Sequence, residues 1–221
     1  MSYFETLKSL IDEKIIQDAQ LNAENAFCEI AADYLSDSSL ISGFQPSPYY
    51  MEHEIGGNLK IDGFCLNDNE TVLSLFVTNY NHTNNVSKLN LKDVEQQFKQ
   101  LYRVLNYVIK PTECNLPKAN VLSALNREYR AGIKDNVVKI DFYLFTNNIA
   151  ANKKEVTTSK IITKKDNDIV DYNFRICDIN ELERLHKNNQ KLDIEVDEFY
   201  DKPIHVLKPH IGNASYGTAI T

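Results

Sequence analysis

Two apolar segments joined by a short polar turn constrain the fold of this chain more than any other feature. Residues 59–66 and 71–80 have the length and composition of β-strands, and the turn between them, residues 67–70, reads Asn-Asp-Asn-Glu. The second segment is apolar at almost every position from Val72 to Val77, which is typical of a strand buried on both faces. We therefore predict a central hairpin in a sheet that has layers on both sides.

The first strand of this hairpin carries one carboxylate, Asp62, between Ile61 and Gly63. Burying a carboxylate in such a strand is costly unless a counter-charge, a metal ion or an open cleft compensates for the lost hydration. Asp62 is therefore the first candidate functional residue.

The rest of the chain predicts helices and strands in alternation. Helical periodicity indicates helices at residues 2–17, 21–35, 87–108, 118–129 and 179–187. Strand-like segments lie at residues 49–55, 137–146, 169–178 and, with one polar face, 192–199. Residues 36–48 are rich in Gly, Pro and Ser and predict a loop. The expected fold class is α/β, with a mixed central sheet flanked by helices.

This pattern divides the chain into three parts. Residues 1–18 are expected to form an amphipathic helix, which either packs on the main domain or serves as an arm for an oligomer partner. Residues 19–200 are expected to form the main α/β domain. Residues 201–221, which contain Pro and Gly without clear periodicity, predict a linker or the start of a following domain.

Composition places the chain among globular proteins. It has 221 residues, of which 43% are hydrophobic and 25% charged, with a formal net charge of -7. The negative charge argues against a generally nucleic-acid-coating surface, although it leaves room for a local basic groove. The four cysteines form no CxxC pair and are expected to be reduced core thiols. Because neither a signal peptide nor a membrane span is recognisable, a cytoplasmic location without membrane contact is expected.

Two acids on the predicted helix at 21–35 are candidates to act with Asp62. Glu24 precedes Phe27 and Cys28 by three and four positions, so it borders the apolar stripe of the helix. Glu29 is expected nearer the solvent-facing side. A catalytic role therefore falls on Glu24 before Glu29, with a solvated helix carboxylate as the alternative for both.

The predicted order α-β-β-β-α-β resembles the core of the PD-(D/E)XK, or restriction-endonuclease-like, nucleases. In those proteins an acid on the second strand and an acid-x-lysine set on the third bind a divalent metal for phosphodiester hydrolysis, often with a glutamate from the first helix. The resemblance implies that Asp62 and Glu24 are catalytic, metal-binding residues with Mg²⁺ or Mn²⁺ as cofactor. The third strand departs from the pattern, because Phe76 and Thr78 stand where the acid and the lysine would be.

A second resemblance covers roughly residues 20 to 200. Short segments in the right order resemble the N-terminal region of the AIPR proteins, the bacterial abortive-infection phage-resistance family. The resemblance implies a phage-defence role, a nuclease-like N-terminal module and a further C-terminal AIPR domain in a longer parent chain. The segments are residues 24–27, 60–64, 73–77, 142–147, 172–179 and 192–196.

These resemblances leave the function open between classes. In one hypothesis the domain is a metal-dependent nuclease that cleaves DNA or RNA. In the other the same fold has a degenerate metal site and serves recognition or assembly, with the C-terminal AIPR domain, nucleic acid or a second copy of the chain as partner. An unrelated α/β binding domain is a third alternative.

Overall fold

A computed structural model describes residues 2–52, 57–109, 122–128, 137–151, 153–156, 161 and 171–190. Residues 1–189 form one compact unit. A second unit spans residues 190–221 and, apart from Gln190, lies outside the described residues, as do the predicted strand at 192–199 and the predicted linker at 201–221. The predicted domain boundaries therefore stay predictions.

A five-stranded mixed sheet forms the centre of the molecule. Its strands are β1 (Gln45–Met51), β2 (Leu59–Leu66), β3 (Val72–Asn79), β5 (Lys139–Thr146) and β7 (Asp171–Cys177), in the order β1-β2-β3-β5-β7. The first three strands are antiparallel neighbours, whereas β3, β5 and β7 run parallel. Two short strands, β4 (Lys88–Leu89) and β6 (Ile149–Ala150), pair in parallel beside this sheet.

Helices flank the sheet. They are α1 (Tyr3–Gln17), α2 (Ala23–Asp37), α3 (Leu91–Ile109), α4 (Leu122–Glu128) and α5 (Ile179–Gln190), with a short 3-10 turn at Lys153–Glu155. The α/β class with a mixed central sheet between helices is thus confirmed. Its finer assignment as a restriction-endonuclease-like core stays a prediction. Within the described segments, no helix has the length and apolar character needed to cross a membrane.

The core has two layers, one on each face of the sheet. Alternation along β3 explains this, because Leu73, Leu75 and Val77 face one layer while Phe76 faces the other. The first layer is formed with α3 and α4, and the second with α1, α2 and α5. The prediction that this strand is central and buried on both faces is confirmed.

The side chain of Asn67 braces the turn of the central hairpin. The Asn67 amide oxygen accepts hydrogen bonds from the backbone N–H groups of Thr71 and Val72, at 2.8 and 2.7 Å. Glu70 adopts a positive φ of 55° inside the turn. An Asn side chain that satisfies the following backbone is the standard way to fix such a turn, and it sets the register of β2 against β3.

Helix α1 packs on α2. Ser2 caps its N-terminus in a reciprocal arrangement with Glu5, and its buried residues Leu7 and Ile11 join the second layer of the core. Near its end Lys14 lies 3.1 Å from Glu29 and 3.2 Å from Asp33. Of the two alternatives for the first helix, packing on the main domain is the one observed.

Strand β1 is displaced from its predicted position. The sequence predicted a loop through Pro48 and a strand at residues 49–55, but the strand runs from Gln45 to Met51 and so includes Pro46 and Pro48. Proline cannot donate a ladder hydrogen bond, which is tolerated here because β1 ends the sheet order and, among the strands that the structure describes, pairs only with β2. Its register shifts between Pro46 and Tyr49.

Three of the four cysteines are buried free thiols, namely Cys28, Cys65 and Cys177. Burial raises the pKa of each of these thiols. The prediction of core thiols is confirmed for these three, while Cys114 lies outside the described residues.

Candidate functional site

Both predicted site residues lie on the same side of the sheet, where α2 begins. Asn22 caps α2, its side-chain oxygen accepting a hydrogen bond from the Asn25 N–H at 2.9 Å, and this places Glu24 in the first turn of the helix. Asp62 lies in β2, and its side chain is on the face of the sheet that α2 covers. The structure therefore brings Glu24 and Asp62 into one cluster.

A lysine that the sequence analysis did not select connects the two acids. The Lys60 ammonium lies 2.6 Å from Glu24 Oε1 and 4.0 Å from Asp62 Oδ2. It also donates a hydrogen bond of 2.6 Å to the backbone carbonyl of Thr78. Three oxygen atoms, from α2, β2 and β3, thus surround one ammonium group whose side chain is 17% exposed.

Asp62 is held as an acceptor inside the protein. Its residue is 7% exposed, and its Oδ2 accepts the backbone N–H of Thr78 at 2.6 Å. Burial raises the pKa of Asp62 from 3.8 to about 6, although the Lys60 charge and the Thr78 N–H both act in the opposite direction. The cost of burying this carboxylate is therefore only partly offset by its partners.

The cluster opens into a cleft between the start of α2 and strands β1 and β2. The cleft has a volume of about 350 Å³. An adjoining groove of about 210 Å³ shares part of its wall, so Asp62 borders both spaces. The residues lining the larger cleft are Asn22, Glu24, Asn25, Pro48, Tyr49, Tyr50, Lys60 and Asp62.

Glu29, the acid of this helix that was compared with Glu24, does not lie on a solvent-facing side as expected. Its side chain is 22% exposed because Lys14 of α1 covers it at 3.1 Å. Glu29 also borders the smaller groove together with Asp62. The sequence could not show this, since the neighbouring helix that buries Glu29 is placed only by the tertiary fold.

The third strand supplies backbone groups rather than charged side chains. Phe76 is fully buried, stacks on Tyr143 with ring centroids 5.0 Å apart, and meets Phe44 edge-on. Thr78 contributes its N–H to Asp62 and its carbonyl to Lys60. The ammonium that is missing from the third strand is thus present on the second, two residues before Asp62 and on the same face.

As they are arranged, these residues do not fit a divalent metal ion. Mg²⁺ takes oxygen ligands at about 2.1 Å, and carboxylate and carbonyl oxygens are the right kind of donor. The point between the three oxygens, however, is taken by the Lys60 ammonium at 2.6 Å from two of them. Among the residues that the structure describes, no group of three or more His, Cys, Asp and Glu side chains is placed to hold a metal.

A second ionic cluster lies on β5 and β7. Asp141, whose side chain is 6% exposed, has Lys139 at 3.2 Å and Arg175 at 3.8 Å, and accepts a hydrogen bond from the Asn173 amide at 3.1 Å. This second cluster, like the first, has a lysine beside a buried aspartate. Within the described residues, however, Lys139 pairs with one carboxylate, whereas Lys60 lies near two. This makes Lys139 a matched comparison for Lys60.

Comparison with known proteins identifies one family. The model of the abortive infection phage resistance protein N-terminal domain matches residues 27–187, which is nearly three quarters of the chain. The same comparison found no curated protein and no solved structure that is significantly similar to this chain.

Proposed function

This chain belongs to the family of abortive infection phage resistance protein N-terminal domains, and we propose that it serves phage defence as a recognition or assembly domain whose charged cluster is not a self-contained metal site. The partner would be the C-terminal AIPR domain of a longer parent chain or a nucleic acid. The proposal goes beyond family membership, which by itself assigns no activity to this fold.

One observation carries the proposal. Lys60, rather than a vacant coordination position, lies between Glu24 and Asp62, with its ammonium 2.6 Å from Glu24 and 2.6 Å from the Thr78 carbonyl. An ammonium with these contacts offsets part of the negative charge of the two acids without a metal ion. It also joins α2 to β2 and β3 at the base of the cleft, so the cluster supports the shape of the cleft.

The cleft itself suits contact with another molecule. Tyr50, which is 54% exposed, presents aromatic surface, while Asn22 and Asn25 are amide side chains. Aromatic and amide groups at the rim of a cleft make mixed apolar and hydrogen-bonding contacts with a partner. Recognition at this cleft would need its shape and the groups at its rim but no hydrolytic step.

Phage protection by the protein that carries this domain tests the proposal. Asp62→Asn removes the charge that a metal would require but keeps the shape and an acceptor for the Thr78 N–H, so we expect cells expressing the variant to resist phage as wild type does. Phe98→Asp, which puts a charge into the core at a fully buried position, is the control that should abolish protection. Loss of protection by a folded Asp62→Asn protein would contradict the proposal.

A metal-dependent nuclease is the second candidate, and one observation favours it. Lys60 supplies next to Asp62 and Glu24 the ammonium that the third strand lacks, so the cluster holds two acids and a lysine. In that case the same phage assay should show Asp62→Asn to be as defective as Phe98→Asp. The two functions thus predict opposite results for one variant.

A further inference from the structure

We propose that Lys60 is an internal cation that occupies an oxygen cage formed by Glu24 Oε1, Asp62 Oδ2 and the Thr78 carbonyl, and that this ammonium is what keeps divalent cations out of the cage. The inference rests on the proposed function, in which the wild-type cluster binds no metal. It adds the residue responsible for that property and the chemistry that would appear in its absence.

The kind and number of donors support the cage. Two carboxylate oxygens and one backbone carbonyl surround the ammonium, and these are the hard oxygen donors that Mg²⁺, Mn²⁺ and Ca²⁺ bind. The third donor is a backbone atom, so it is independent of the side chain at position 78. The absence of an acid from the third strand therefore does not remove the third oxygen.

The anchoring of Lys60 supports its role as the occupant. The lysine and Asp62 lie two residues apart in one strand, so their side chains leave the sheet on the same face. The side chains of Lys60 and Asp62 are only 17% and 8% exposed, so both are largely shielded from water. The Lys60 ammonium stabilises the nearby carboxylate of Asp62, which water hydrates poorly because the side chain is largely buried.

Removal of the ammonium should convert the cage into a cation site. In Lys60→Met the two acids would face each other without a counter-charge, which destabilises the fold and raises the affinity for a divalent cation. We expect Mn²⁺ to raise the melting temperature of Lys60→Met and to bind it at least about tenfold more tightly than it binds wild type. Asp62→Asn in the same background should cancel both effects, because it removes one charged donor.

The matched control is Lys139→Met. Lys139 is also a strand lysine paired with a buried aspartate, Asp141, at 3.2 Å. Because Asp141 carries the only carboxylate that pairs with Lys139 among the described residues, removal of Lys139 should create no comparable affinity for Mn²⁺. A gain in Lys139→Met equal to that in Lys60→Met would overturn the inference, since it would mean that removing a lysine beside any buried aspartate suffices.

Two measurements test the inference: calorimetric titration with Mn²⁺, and thermal unfolding with and without Mn²⁺. Both are made on wild type, Lys60→Met, Lys60→Gln, the double variant Lys60→Met/Asp62→Asn, and Lys139→Met. Lys60→Gln serves as the substitute if Lys60→Met does not fold, because its amide can keep the hydrogen bond to the Thr78 carbonyl. Folded Lys60 variants that bind Mn²⁺ no better than wild type would overturn the inference and leave the proposed function intact. Binding by wild type that requires Asp62 would instead overturn both the proposed function and the inference, because Lys60 would then not keep the cation out.

Discussion

At Asp62 two opposing electrostatic effects act on one carboxyl group. Burial disfavours its charged form, whereas the Lys60 ammonium and the Thr78 N–H favour it. Burial is the larger effect, so the pKa of Asp62 is raised to about 6 and the group is mostly, but not fully, ionised at neutral pH. The charge balance of the cluster therefore changes over a range close to neutrality.

Asp62→Asn should change how stability depends on pH. The pKa is about 6 in the folded protein and 3.8 ordinarily, so this carboxyl favours the folded state below about pH 4, and that contribution is lost as the pH rises through about 6. The variant has no such titration, and relative to wild type it should gain roughly 2–3 kcal/mol of unfolding free energy between pH 4 and pH 7. Urea unfolding of both proteins across this range measures the difference, and a difference that stays constant with pH would contradict the assignment.

Position 63, next to Asp62, requires glycine because the neighbouring residues leave no room for a Cβ atom. A Cβ atom at this position would overlap the ring of Phe44 and come within 3.0 Å of the Gln45 carbonyl. Gly63→Ala should therefore lower the unfolding free energy by roughly 1–3 kcal/mol. In a Phe44→Ala background the same substitution should cost clearly less, because the ring is gone. Equal costs in both backgrounds, measured by chemical unfolding, would rule out this contact as the cause.

The residues of the cluster were only partly predictable. Asp62 stood out because a carboxylate in an apolar strand requires a partner, and Glu24 because it borders an apolar helix stripe. Lys60 did not, since a lysine near a strand end ordinarily reaches solvent and only the packing of α2 on the sheet turns it inward. Whether Asp62 and Glu24 are catalytic stays a prediction.

The central hairpin is the element whose existence the sequence specified most strongly. Its two strands and turn were predicted within a residue or two, because apolar runs and an Asn-rich turn agree locally with the fold. The edge strand β1 was misplaced, since its prolines have turn-like preferences that are overridden by pairing with β2. Local signals thus sufficed for the centre of the sheet but not for its edge.

Asn67→Ala tests the turn of this hairpin. Two backbone N–H groups, those of Thr71 and Val72, would lose the acceptor they have in Asn67, so the unfolding free energy should fall by roughly 1–3 kcal/mol. Asn69→Ala, an exposed position in the same turn, is the matched control and should change stability by less than about 0.5 kcal/mol. Thermal or urea unfolding of the two variants compares them directly, and similar losses in both would show that the side chain of Asn67 does not fix the turn.

For the molecule as a whole, one feature separates the recognition and nuclease accounts. The two-layered core holds α2 against the sheet. The cluster of Glu24, Lys60 and Asp62 lies at the junction of α2 and the sheet, beside the cleft of about 350 Å³. Composition and the family match do not decide whether the junction binds metal, because the decisive ammonium is placed by tertiary packing. The net charge of -7 is in keeping with a domain that recognises a partner through one cleft rather than by a basic surface.

Calorimetric titration of Mn²⁺ into the wild-type chain and into Asp62→Ala tests the claim that the cluster of Glu24, Lys60 and Asp62 binds no divalent metal. With Lys60 filling the oxygen cage, we expect both proteins to give the same weak or absent heat of binding. A saturable heat in wild type that disappears in folded Asp62→Ala would contradict the claim and establish the cluster as a metal site.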